Sequence, residues 1–441
     1  MNIAVVGSGI TGIGAAWAIS REHRVTVYEA ENRPGGHTRT IDVDMGGYHL
    51  PVDTGFIVYN DRNYPNLVEF FRTLGIETKP SSMSFSVSDP ATGLEYAGSL
   101  AGILADKSNL VRPRMWSLLR AIREFRTEHE RLEAGEVPDG LSIGEYLTHR
   151  RYPSAFASHY LLPLAAAVWS GAGEDVSDMP AQTFLSFLAN HGLLRLTDRP
   201  QWRTVAGGSR TYVDKALGHV DEILLDTPVV AVDRRPDAVL LTAARGDTRE
   251  YDHVVFATHA DTTTRILGAA ATASERRIIG AFRYAPNRAV VHSDARLMPR
   301  RRRAWASWNV AGAVTGDADR AVAVTYWMNR LQSLPGDRQV FVSLNPAIEP
   351  HPDTVVDEVW FSHPQFDAAS ARAQRDLGTI QGERRTWFAG AYCGYGFHED
   401  GLQAGLTVAA QLGAAAPWAD RIVRRSPAAS VALRRRSLVT A

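Results

Sequence analysis

The chain opens on four apolar residues, Ile3-Ala4-Val5-Val6, and a run of small residues from Gly12 to Ser20 follows at once. The apolar run predicts a buried parallel strand and the small-residue run a helix. Arg24 to Glu29 predicts a second strand, Val-Thr-Val-Tyr, that ends on an acid. From Arg62 to Gly75 the spacing becomes helical, with Leu67, Phe70, Phe71 and Leu74 on one face. Arg114 to Glu133 predicts one long basic amphipathic helix, apolar at Leu118, Leu119, Ile122 and Phe125. Between Glu222 and Thr242 two alternating runs flank Arg234-Arg235-Pro236-Asp237, the pattern of a small antiparallel meander. Tyr251 to Thr258 and Arg385 to Gly390 predict two more buried strands, and a helix is expected from about Gly401 to Leu412.

Strand–turn–helix pieces therefore stand at the start, the middle and the end. The simplest architecture is one α/β domain with a Rossmann-type sheet, interrupted by a second, mixed α+β domain. The expected boundaries are roughly 1–60, 200–268 and 384–415 for the first domain, with 61–199 and 269–383 forming the second. Residues 416–441 are expected to form a loosely ordered basic tail after Pro417, carrying Arg421, Arg424, Arg425 and Arg434 to Arg436.

The 441 residues are 45% hydrophobic and 22% charged, ordinary for a globular enzyme, and the formal net charge of +0 gives no field to attract nucleic acid. One cysteine, Cys393, excludes an intrachain disulfide and a multi-cysteine zinc site, and the 14 histidines show no metal-ligand spacing. Met1 and Asn2 lead straight into the apolar run with no basic region or cleavage site, so a secretory signal is not expected, and the longest apolar stretch, Tyr160 to Trp169, is too short to span a bilayer. The expected compartment is the cytoplasm, with peripheral membrane contact left open.

The chemistry begins in the first turn, Gly7-Ser8-Gly9-Ile10-Thr11-Gly12. Gly7 permits the tight turn, Gly9 lets the backbone approach a pyrophosphate, and Gly12 with Ala16 lets the helix lie close to the strand. Glu29, at the end of the second strand, is placed to accept ribose hydroxyls. These features do not separate FAD from NAD. The stretch after the acid, Ala30-Glu31-Asn32-Arg33-Pro34-Gly35-Gly36-His37-Thr38, does so: an arginine and a Gly-Gly pair suit a loop folding back over a pyrophosphate.

Gly7 to Thr40 resembles the amino-terminal signature of the flavin amine oxidase superfamily, which includes monoamine and polyamine oxidases, protoporphyrinogen oxidase and phytoene desaturase. Later segments agree in order. Asp53-Thr54-Gly55-Phe56 resembles the stretch that passes beside the flavin, and Thr204 to Ser209 the Gly-Gly lead into a helix. Val229 resembles the valine whose backbone meets the adenine. Phe388-Ala389-Gly390, then Asp400-Gly401-Leu402, resembles the carboxy-terminal signature, whose helix faces the flavin. The resemblance implies a glutathione-reductase-like fold, FAD as cofactor, and hydride transfer from a substrate carbon to flavin N5.

Val52 to Asn60, Asn190 to Leu194, Ala304 to Asn309 and Tyr326 to Asn329 further resemble a bacterial subfamily of predicted NAD/FAD-binding proteins. A similar module is fused to plant cyclopropane fatty acid synthases, which implies an acyl or lipid substrate and a lipid methyltransferase as partner.

The departures narrow the reading. The superfamily's amine oxidases place a lysine near the flavin in a late segment, yet no lysine follows Lys215. His37 stands where the superfamily has arginine, and Ala391-Tyr392 where an acid is frequent. His398 is the candidate proton relay, with His292 weaker. Trp305, Trp308, Tyr326 and Trp327 are candidates to line an apolar cavity, and Arg300 to Arg303 to meet a phospholipid surface. An apolar acyl substrate undergoing dehydrogenation is the favoured function; an amine oxidase, a flavin-dependent isomerase and a non-catalytic partner of a methyltransferase stand as alternatives.

Overall fold

The computed structural model describes residues 1–138, 140–169, 177–190, 194, 200–312 and 323–421. Asn2–Val6 sits at the centre of a five-stranded parallel sheet, flanked on one side by Arg24–Tyr28 and Glu222–Leu224. On the other side lie His253–Phe256 and Thr386–Phe388. Its inner strands are almost continuously buried, as a sheet covered on both faces requires. The helix Ile10–Ile19 leaves the first strand and is buried along its whole length. It packs on the last helix, His398–Gln411, and a Cβ on Gly405 would sit 2.3 Å from the Thr11 carbonyl oxygen. Small residues on both helices are what permit that distance.

The meander forms from Val229–Arg234, Val239–Ala243 and Thr248–Tyr251. The expected first run divides: Glu222–Leu224 joins the parallel sheet as its edge, and only the part from Val229 onward is antiparallel. The substrate half is a seven-stranded sheet in the order 355–365, 283–292, 341–344, 323–327, 308–311, 85–89 and 94–97. A helical layer covers it, built from Pro113–Phe125, Leu162–Trp169 and Ala181–Asn190 among others.

Two expectations change. The predicted long helix is two, Pro113–Phe125 and Glu128–Glu133. The Thr127 hydroxyl donates to the Glu124 carbonyl at 2.8 Å and closes the first helix, while buried Glu128 accepts from Tyr152 Oη at 2.6 Å and is paired with Arg150. The tail does not loosen at Pro417. Trp418 is fully buried, stacked on Trp17 at 5.5 Å between ring centroids, because the apolar face of the first helix needs a cover at this end. Of the expected basic tail, Arg421 is described and exposed, and the later arginines lie outside the described residues, as does most of Asn190 to Leu194.

Asp53 ties the two halves together. Its Oδ1 accepts from Thr40 Oγ1 at 2.6 Å, Ser209 N at 2.8 Å and Ser209 Oγ at 2.7 Å, and its Oδ2 from Gln332 Nε2 at 2.9 Å. Gln332 Oε1 in turn accepts from Asp53 N at 2.9 Å. Burial pushes this carboxyl up to about 6, and the converging donors work against that rise. Replacing Asp53 with Ala leaves those donors buried and unpaired, so Asp53→Ala is expected to lose about 2–4 kcal/mol in urea unfolding; a loss under about 0.5 kcal/mol would contradict the linking role.

Candidate active site

One cavity of about 1320 Å³ runs from the glycine-rich turn into the substrate half. That exceeds the roughly 300–1,000 Å³ of a pocket for a single drug-sized ligand, so it has room for a cofactor and a second molecule. Gly7, Gly9, Ile10, Thr11, Glu29, Ala30, Gly36, His37, Thr54, Gly55, Phe56, Gly390 and His398 all reach its wall. Gly7 turns with φ +99°, and a Cβ on Gly12 would stand 1.8 Å from the Gly7 carbonyl oxygen. At Gly9 an added Cβ would meet no atom within 4 Å, because the residue faces open cavity. The helix behind it has no side-chain cap and no acid in its first turn, so its N–H groups and positive dipole end are left for an anion.

Glu29 is braced across this turn. Its Oε2 accepts from Ser8 N at 3.0 Å and from the Ser8 hydroxyl, and its Oε1 from Glu31 N at 3.0 Å. Ser8 also bonds to Gly35 N through its carbonyl, at 3.0 Å, which clamps the returning loop onto the turn. Ser8 escaped the sequence reading because the motif leaves its position variable.

Seven expected contact residues do not line the cavity. Arg33 spends its guanidinium on the Gly36 carbonyl, at 3.1 Å, and on Glu31, at 3.0 Å, so it braces its own loop. Gly35 pairs with Gly9, Gly12 packs on the strand, and Val229 is buried in the meander. Gly401 lies against Thr11 and Ile10, and Leu402 against Gly14, so both serve the contact between helices. Thr38 is buried, with its hydroxyl bonded to Tyr212 Oη and, at 3.0 Å, to His398 Nε2.

His398 stacks on Phe56 with centroids 3.7 Å apart, and its Nε2 is shared between Thr38 Oγ1 and Tyr212 Oη, the latter at 2.8 Å. Burial lowers it to about 3, so the ring is neutral and a feeble base. His398 thus stands in the cavity wall, held by the two hydroxyls and the Phe56 ring. His292 is bonded to Ser343 Oγ at 2.8 Å, away from the cavity. Burial pushes the Cys393 thiol up to about 12, which removes the thiolate any covalent flavin link would need.

Beside the expected His37 the structure adds two histidines, His259 and His363, that spacing could not assemble. His37 lies 5.2 Å from His363 and 5.6 Å from His259, centroid to centroid, and all three line the cavity. Burial lowers each of them, His363 to about 4. His37 Nε2 is buried without a hydrogen-bond partner. Among the described residues no group of histidine, cysteine and acid side chains is arranged to hold a metal ion.

The tautomer of His363 follows from its neighbours. Arg288 N–H can only donate, so the Asn345 atom at 3.0 Å is its oxygen, and Asn345 Nδ2 donates to Asn287 Oδ1 at 2.6 Å. Asn287 Nδ2 donates to the Ala285 carbonyl at 3.1 Å and to His363 Nδ1 at 3.0 Å. His363 Nδ1 is thus the acceptor, and the ring's proton sits on Nε2.

The profile of the flavin containing amine oxidoreductases matches residues 10–290, more than half of the chain. The chain belongs to this family. It is 25% identical over 288 residues to (S)-6-hydroxynicotine oxidase of Paenarthrobacter nicotinovorans, a match covering 62% of this chain and 64% of that one. Coproporphyrinogen III oxidase of Bacillus subtilis (strain 168) is 25% identical over 200 residues, 42% of this chain and 40% of its own length. The match thus spans under two thirds of either curated relative.

Solved structures of the same fold include a wild-type putrescine oxidase bound to putrescine, with a TM-score of 0.67 at 16% identity, covering 94% of this chain and 99% of that one. A CLA-producing fatty acid isomerase from P. acnes has a TM-score of 0.64 at 14% identity, covering 93% of this chain and 97% of that one.

The residues present fit the family's cofactor, FAD. The uncapped helix end and Gly9 suit the pyrophosphate, and Glu29 retains lone pairs for a ribose. Since Gly9 faces open space, Gly9→Val is expected to fold with unchanged far-UV circular dichroism yet purify without flavin absorbance. Retention of full flavin would refute the pyrophosphate placement.

The buried neutral histidines set a pH dependence. Their pKa values are lowered relative to the unfolded chain, so the stability each contributes is complete above about pH 6.5 and is lost as pH falls toward its folded value. Buried Asp53 and Asp400, at about 6, and Glu399, at about 7, act in the opposite sense. The difference between proteins isolates the histidine: the melting temperature of His363→Gln should improve relative to wild type from pH 7 to pH 5. A constant or widening deficit contradicts the neutral assignment.

Proposed function

We propose that this protein is an FAD-dependent oxidoreductase that dehydrogenates an apolar acyl substrate. The observation that carries the reading is the wall of the cavity beyond the nucleotide turn. Met83, Leu119, Ile122, Leu164, Trp308 and Tyr326 face it, and among the described residues neither an aspartate nor a lysine does. Its two acids, Glu29 and Glu31, stand at the nucleotide end, while Arg126, Arg303 and Arg330 line the remainder. An ammonium group entering here would lose water and meet like charge, with the aromatic rings of the wall but no carboxylate beyond the nucleotide end to offset that cost. A hydrocarbon chain would gain roughly 0.8 kcal/mol for each methylene buried.

Bound FAD supplies the hydride acceptor. The chain's own residues hold the substrate carbon in a water-poor space, with His363 Nε2–H as a fixed donor and His37, His259 and His398 as neutral walls. The resemblance in fold to a fatty acid isomerase supports an acyl chain as the molecule handled.

Anaerobic titration of the FAD-loaded protein tests the reading. Bleaching of the flavin band by unsaturated or methylated acyl lipids, and silence with alkyl amines, is the expected outcome. Bleaching by amines, with peroxide released in air, would replace it by an amine oxidase. A shifted double bond with no net bleaching would make the protein an isomerase.

A further inference from the structure

Helix Pro113–Phe125 and the short turn before it leave an unusual surface. Leu110, Val111 and Trp116 are 48%, 80% and 56% exposed, three large apolar side chains within seven positions. They form one feature, because Trp116 Nε1 donates to the Leu110 carbonyl at 2.8 Å. Basic residues surround them: Lys107, Arg114, Arg120 and Arg123 are exposed. Of the nearby acids, Asp106 is taken by Arg112 and Arg301, and Glu124 stands exposed one turn beyond Arg120. Trp116, Arg120 and Arg123 follow one another at helical spacing, so apolar and cationic groups share a face.

The adjoining flank and the buried side of the same helix reach inward. Leu119 and Ile122 line the cavity, and so does Arg126 just beyond the helix. Arg126 Nε is buried with no hydrogen-bond partner. Ala101 and Ile103, from the turn beside the patch, line the cavity as well. One helix thus separates an exposed apolar and basic surface from an acyl-sized cavity with an unpaired cation in its wall.

We propose that the Lys107–Arg123 face docks on a bilayer containing anionic lipid, from which the cavity draws its acyl substrate. Trp116, Val111 and Leu110 enter the headgroup–acyl boundary, and the basic side chains meet lipid phosphates. The docking stands on surface chemistry alone, whereas the draw of substrate rests on the acyl reading above.

Co-sedimentation of the FAD-loaded protein with vesicles tests the docking, independently of turnover. Binding to phosphatidylcholine vesicles containing phosphatidylglycerol is expected, with far less to phosphatidylcholine alone and a decline as salt rises. Val111→Ser/Trp116→Ser should bind roughly tenfold or more weakly, consistent with the loss of two apolar anchors. Arg114→Gln/Arg120→Gln should lose the preference for anionic vesicles. The flavin spectrum and melting temperature of each variant check its folding. Equal binding by wild type and the apolar double variant overturns the proposal. So does a wild type that ignores every vesicle, above all if the double variant then shifts from dimer to monomer, which would assign the face to a second copy. Docking that holds while no acyl lipid bleaches the flavin would leave the surface assignment standing and remove the acyl reading.

Discussion

The first helix has no face toward water, and the nucleotide site is a consequence of that. All ten residues from Ile10 to Ile19 are buried between the parallel sheet and the last helix. Burial on every side demands small residues wherever another backbone passes, and the chain supplies Gly12 and Gly14 on one helix and Gly401 and Gly405 on the other. Because the helix is clamped along its length, its free N-terminal end is fixed in direction. The donors there point into the cavity without any side chain having to aim them. Substitution of a larger residue along this seam would tilt the helix and move the anion site with it.

A second constraint joins the halves. Asp53 collects donors from Thr40 at the start of strand Thr40–Asp44, from the lead into helix Arg210–Leu217, and from Gln332 in the substrate half. The cavity lies between those halves, so its shape depends on this one carboxylate as much as on its own lining. Low dielectric surroundings strengthen such a network when every member is paired.

Local pattern disclosed much of this and missed what is assembled over distance. The first strand, helix and acid were legible because each is a contiguous signal: apolar run, small-residue run, terminal Glu29. The carboxy-terminal helix was legible for the same reason. The long basic helix was misread because hydrophobic spacing continues through Arg126 and Thr127, while the break is made by a hydroxyl on a carbonyl and by the buried Glu128, whose partners Arg150 and Tyr152 lie some twenty positions away. Arg33 carried the right charge at the right distance, yet a nearer carbonyl claimed it. The histidines show the limit most clearly. His37, His259 and His363 are isolated in sequence, and only the return of the edge strand Val355–Gln365 brings the third to the first.

The placement of Trp418 bears on how the protein is made. The first helix is translated about four hundred residues ahead of Trp418 and well ahead of the last helix, which cover it, and of the strand Thr386–Phe388, which completes the sheet. The nucleotide domain is therefore begun long before the segments that complete it are translated. Throughout elongation a wholly apolar helix waits for partners nearly four hundred residues downstream, a long-range closure that favours slow folding and exposes sticky surface to other chains. Cells that produce this protein at high levels would need to shelter the first helix until its cover is translated.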